Sequence, residues 1–103
     1  MTAVRVKEII HESLKSEPDI TNVDGLDLTE CLIEPRKQTY KDRNDATEVY
    51  ELWTVFEERK DGNGYKIYFD EESGLFGLAV QSDSEELIAI AEYGDFLNTV
   101  YAL

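Results

Sequence analysis

The chain predicts an α+β fold: an N-terminal helix, a four-stranded antiparallel meander and a C-terminal helix, with both helices packed on one face of the sheet. Three observations carry this prediction. Apolar residues recur at helical spacing near the N-terminus (Val6, Ile9, Ile10, Leu14) and again near the C-terminus (Leu87, Ile90, Ala91, Leu97, Val100, Tyr101). Between them the apolar period falls to two. Turn signals at Asp61–Gly64 and Asp70–Gly74 then cut that stretch into runs short enough to pair as sequential neighbours. One domain over 1–103 is expected, because a chain of this length buries roughly 65% of its unfolded surface and fills one core.

The first helix is expected from Ala3 to about Lys15. Thr2 is its N-cap, and Pro18 stops it by pushing the preceding residue out of the helical region. The polar stretch Asp19–Gly25 reads as a loop closing on the Asp24-Gly25 turn pair. The first strand is expected across Leu26–Tyr40, where Leu26, Leu28 and Leu32 alternate with Thr29, Cys31 and Ile33; Pro35 cannot donate to a ladder and implies an edge or a bulge. Lys41–Thr47 is a connection. Thr47–Arg59, rich in β-branched and aromatic residues, is the longest strand, followed by Gly64–Phe69 and Leu75–Gln81. Ser82 and Glu85 stand at capping-box spacing, which predicts a helix running from there to near Tyr101, with Gly94 marking a kink or a close packing contact.

Continuous alternation places Leu52, Phe56, Tyr65, Ile67, Phe69, Phe76, Leu78 and Val80 on the helix-covered face. The opposite face then holds Trp53, Val55, Tyr68 and Leu75 among charges, a candidate interface patch.

Twenty-three acids against ten Lys and Arg give a net charge of −13, while 42% hydrophobic residues suffice for a core. The charge is uneven: Lys66 is the last cation, and residues 71–103 carry seven acids alone, Glu71, Glu72, Asp83, Glu85, Glu86, Glu92 and Asp95. This candidate acidic surface disfavours nucleic acid and anionic membranes, since neither phosphate can be neutralised there. The apolar residues of the first fifteen are interrupted by Glu8, His11 and Glu12, unlike a signal peptide, and one cysteine fits a reducing compartment, so a cytoplasmic location is expected.

His11 and Cys31 are single copies, which rules out a His/Cys zinc cluster within one chain. A Cys31–His11 dyad has no further support, and Cys31 on a strand reads as a small buried hydrophobe. The DGNGY run at Asp61–Tyr65 resembles a fragment of a calcium loop, yet Arg59 occupies the first ligand position and Asp70 the place of the bidentate glutamate. Acid pairs at Glu57-Glu58, Asp70-Glu71-Glu72 and Glu85-Glu86 sit at a strand end, a turn and a helix start, where acids are common for structural reasons. The cations Arg36, Lys37, Lys41 and Arg43 cluster around Tyr40 but are interrupted by Asp42 and Asp45. No catalytic, cofactor or metal site is therefore expected. The composition points to a non-enzymatic protein-binding module, of inhibitor or immunity type with a basic partner or a homodimer; the alternative is a small-molecule or enzymatic pocket between sheet and helices, with Tyr50, Tyr65, Tyr68, Tyr93 and Tyr101 as polar contacts.

Overall fold

A computed structural model describes residues 1–17, 20, 27–45, 47–59 and 63–103. The element order is α1 (Ala3–Leu14), a 3-10 turn (Leu28–Cys31), β1 (Leu32–Asp42), β2 (Val49–Glu57), β3 (Tyr65–Asp70), β4 (Leu75–Gln81), β5 (Leu87–Gly94) and α2 (Phe96–Tyr101). The helix stop at Pro18, the loop 19–25 apart from Ile20, with its Asp24-Gly25 turn, and Leu26 lie outside the described residues, as do Asp61 and Gly62 of the β2–β3 turn.

Helix α1 forms where the spacing requires, with Val6 and Ile10 buried and the Thr2 hydroxyl accepting from Arg5 N at 3.3 Å. The first strand begins later than expected. Asp27 caps a 3-10 turn by accepting from the Thr29 amide, and this turn buries Leu28 and Cys31 three residues apart on one side. The bulge predicted at Pro35 is present: the β1–β2 register shifts between Leu32 and Arg36. Strands β2 to β4 form the meander, with Gly74 closing the β3–β4 turn at φ +74.

The principal correction concerns the C-terminal third. The expected long helix is a fifth strand followed by a six-residue helix, so the sheet is five strands that close into a small barrel rather than an open four-stranded meander. Ser82 does accept the amide of Glu86, but within a β4–β5 turn that also bonds Ser82 N to Glu86 O at 2.8 Å. Gly94 is the strand end rather than a kink, at φ +102, after which Asp95 caps α2 by accepting from Asn98 N at 2.8 Å. Closure is made by β1 and β5 running parallel over three residue pairs, Tyr40 with Leu87, Lys41 with Ile88 and Asp42 with Ala89.

Two apolar clusters form on opposite faces of this sheet. Both helices share the first, in which Val6, Ile10, Phe96 and Val100 meet Trp53, Val55, Phe56, Ile67, Phe69, Phe76 and Leu78. Phe69, Phe76 and Phe96 stack in sequence, with ring centroids 4.8 and 5.5 Å apart. The second cluster is Tyr40, Leu52, Tyr68, Ala79 and Ala89. No helix among the described residues is long and apolar enough to cross a membrane.

Alternation along β2 is broken by a register shift between Thr54 and Phe56. That bulge puts Phe56 and Trp53 in one cluster although they are three residues apart, and sends Leu52 to the other. The expected exposed patch is corrected accordingly: Trp53, Val55 and Tyr68 are 8, 0 and 3% exposed, and Leu75 alone of the four is open, at 39%.

Candidate functional site

The second face carries polar residues in a row along its strands. Lys66, Tyr68 and Asp70 alternate on β3 and therefore point to this face together with Ala79 and Gly77 across from them on β4. At one end, Glu57 accepts from Lys66 Nζ at 2.5 Å and from Arg36 at 2.9 Å. The Lys66 side chain is 5% exposed, so its charge is held by this pairing. Burial would raise the Glu57 carboxyl, but Lys66 and Arg36 outweigh it and hold the group below its usual range.

Next along the face, Thr54 donates to Gln38 Oε1 at 2.6 Å. Its one proton being so used, Thr54 Oγ1 accepts from the Tyr40 hydroxyl in a short hydrogen bond. Burial pushes the Tyr40 phenol up to about 12, against the opposing effect of that bond. Tyr40 in turn meets Tyr68, ring centroids 5.6 Å apart.

Beyond Tyr68 the face opens into a cleft of about 270 Å³ lined by Asp42, Tyr50, Leu52, Tyr68, Asp70, Ala89, Ile90, Ala91 and Glu92. Asp42 arrives from the end of β1 across the parallel seam, while Asp70 from the end of β3 and Glu92 from β5 are brought together across β4. The Tyr50 hydroxyl donates weakly to Asp42 at 3.4 Å, and Ser73 donates to Glu92 at 3.4 Å. Burial, then the neighbouring Asp70 carboxylate, raises the Glu92 carboxyl above its usual range. The Tyr68 phenol is raised as well, by burial first and by Glu92 and Asp70 next. Although Tyr68 is 3% exposed, its hydroxyl has no hydrogen-bond partner among the described residues, and it borders the cleft. It lies over Gly77, where a Cβ would stand 2.4 Å from the phenol oxygen and 2.6 Å from the Ala91 carbonyl.

The seven acids of the C-terminal third do not form one surface. Glu71 is engaged by Lys37 at 2.6 Å and by Trp53 Nε1 at 3.3 Å, and Lys37 holds its carboxyl low. Glu86 pairs with Lys41 at 2.6 Å. Asp95 is spent on the α2 cap, Glu72 lies in the β3–β4 turn, and Asp83 and Glu85 occupy the turn at the far end of β4. Glu92 alone of the seven lines the cleft. Tyr50 is among the tyrosines expected as pocket contacts, whereas Asp42 carries no signal of its place, because nothing local in the sequence announces a parallel β1–β5 pairing.

The remaining candidates are dispersed. His11 is exposed on α1, while Cys31 is buried with its thiol toward the Glu58 carbonyl at 3.9 Å. Arg36, Lys37 and Lys41 part to three different carboxylates rather than forming a cluster. Between α1 and β1 there is a recess of about 70 Å³ at Lys7, Ile10, His11, Leu32 and Ile33. Tyr65, Tyr93 and Tyr101 are exposed, and Tyr101 bonds Glu17. No group of three His, Cys, Asp or Glu among the described residues is placed to hold a metal ion. Comparison with protein-family models, curated proteins and solved structures returned no match.

Proposed function

We propose that this chain acts without catalysis, as a binding module for a basic partner protein. The observation that supports the reading is how the cations are used. Seven of the ten, Arg5, Lys7, Lys15, Arg36, Lys37, Lys41 and Lys66, are each engaged by a carboxylate of the same chain. Apart from the buried Lys66 pair these contribute little stability, but each cancels local positive potential. Asp42, Asp70 and Glu92 belong to no ion pair among the described residues, so negative field gathers where they meet. A net charge of −13 distributed this way attracts a basic surface and accelerates its encounter. An inhibitor-type protein covering a basic site is the sharpest form of the reading. Self-association through Trp53, Val55 and Tyr68 is not part of it, since this chain buries those side chains itself.

The test is to cross-link the intact chain to its partner, identify that partner, and measure association with the purified pair at two salt concentrations. A basic partner is expected, with an association rate falling at least about tenfold between ~20 and ~200 mM salt. A partner without excess positive charge, or a rate indifferent to salt, overturns the reading.

A further inference from the structure

We infer that the cleft at the β1–β5 seam is a binding site for a single alkylammonium or guanidinium group, held by Asp70 and Glu92 with Tyr68 as the neutral hydrogen-bonding member. The inference deepens the preceding reading by naming where a basic side chain of the partner would seat, and it rests on that reading only for the source of the cation.

Three independent observations converge here. The first is charge without compensation: Asp42, Asp70 and Glu92 line one cleft, and no Lys or Arg lines it with them. The second is the Tyr68 hydroxyl, on a side chain 97% withdrawn from solvent yet lacking a hydrogen-bond partner among the described residues. The hydroxyl oxygen is the part of this side chain left open to the cleft, where it offers an acceptor to an ammonium or guanidinium proton. The third is shape. About 270 Å³ is just below the roughly 300 Å³ at which pockets for drug-sized molecules begin, and fits one side chain. Leu52, Ala89 and Ala91 offer apolar contact to a methylene stem, and Tyr50 and Tyr68 are aromatic neighbours of the type that attract cations.

Glu92 titrates with the occupant. Asp42, Asp70, Glu92, Tyr50 and Tyr68 are the titratable groups facing the cleft, and Ser73 bonds Glu92 from the β3–β4 turn. Burial first and the Asp70 carboxylate next raise the Glu92 carboxyl. A cation beside both would lower it, so binding releases protons and affinity rises with pH through the carboxylate range.

The experiment uses the full chain, labelled with nitrogen-15 and titrated with n-butylammonium, with N-acetyl-lysine amide and N-acetyl-arginine amide, and with neutral n-butanol. Saturable amide shifts confined to Tyr50, Tyr68 and Ala89–Glu92 are expected for the cations and not for butanol. Glu92→Gln should weaken binding about tenfold, Tyr68→Phe about threefold, and Glu85→Gln in the remote turn should leave it unchanged. Each variant's fold is checked from the same spectra. Shifts scattered over all acidic residues, or equal shifts with butanol, overturn the inference. A basic partner that binds with salt-dependent rates but is indifferent to Glu92→Gln and Tyr68→Phe also overturns it while leaving the protein-binding reading intact. If the free amine binds as tightly as the amino-acid amides, the source is a small amine. If lysine or arginine amide binds at least about tenfold tighter, the source is a partner side chain.

Discussion

At one end of the second sheet face Glu57 holds two cations; about four residues along β3, Asp70, Glu92 and Asp42 hold none. The two regions share a sheet and a row of side chains but differ in what each charge finds. Around Lys66 the partners are supplied by the chain, and the carboxylate is drawn down toward its ionised form. Around Tyr68 the partners are missing, and carboxyl and phenol are both driven toward neutrality. Removing a charge should therefore have opposite consequences at the two ends.

The largest expected effect is Lys66→Met. It leaves Glu57 with Arg36, whose side chain is 54% exposed, and should cost about 3 kcal/mol, lowering the melting temperature by about 10–20 °C in thermal unfolding. The sign with pH follows from the depressed Glu57 carboxyl. Its stabilising share is present above the unfolded carboxyl value and is lost as pH falls through the lower folded one, so the variant should show a shallower acid decline. Next is Gly77→Ala, which drives a methyl into the Tyr68 ring and the Ala91 carbonyl and should cost about 2 kcal/mol in denaturant unfolding.

Tyr40 and Tyr68 give a sharper form of the contrast. Tyr40→Phe deletes a hydroxyl that bonds Thr54 and should cost about 1 kcal/mol, whereas Tyr68→Phe deletes one that bonds nothing described and should cost close to nothing. Equal losses would remove the basis for treating the two phenols differently. A small effect of opposite sign is expected for Glu92→Gln. A raised folded carboxyl favours the native state below the unfolded value, and that advantage disappears as pH rises through the folded one. The variant should therefore be the more stable at pH 7, by a few tenths of a kcal/mol after screening of this exposed group, and indistinguishable well below pH ~4.

Sequence patterning placed α1, its Thr2 cap, β2 to β4 and the Asp70–Gly74 turn because each is specified by residues next to one another. The strand β5 imitates a helix in sequence for a physical reason. Register shifts leave Ile90 and Tyr93 as extra residues against β4, so the alternation of Leu87–Gly94 is scrambled and its alanines suggest a helix instead. The same kind of bulge in β2 exchanged Leu52 and Trp53 between faces, and with them the supposed interface patch. Of the cleft, the sequence showed Tyr50 and Tyr68 as polar contacts for a pocket and Asp70 and Glu92 as acids, but not that they meet. Asp42 and Ala89 become neighbours across a parallel pairing that no turn announces.

That pairing has a kinetic consequence. Every other ladder joins consecutive strands and can form as a local hairpin, whereas the seam needs β1 and β5 to find each other after the rest of the sheet is ordered. Three residue pairs make it the shortest ladder in the molecule, so its amides should open and exchange with solvent ahead of those in β3. A chain with the seam parted would keep its hairpins and its helix-side core while Asp42 drifted away from Glu92; the acidic cleft is a late product of folding and the first part of the sheet to be lost.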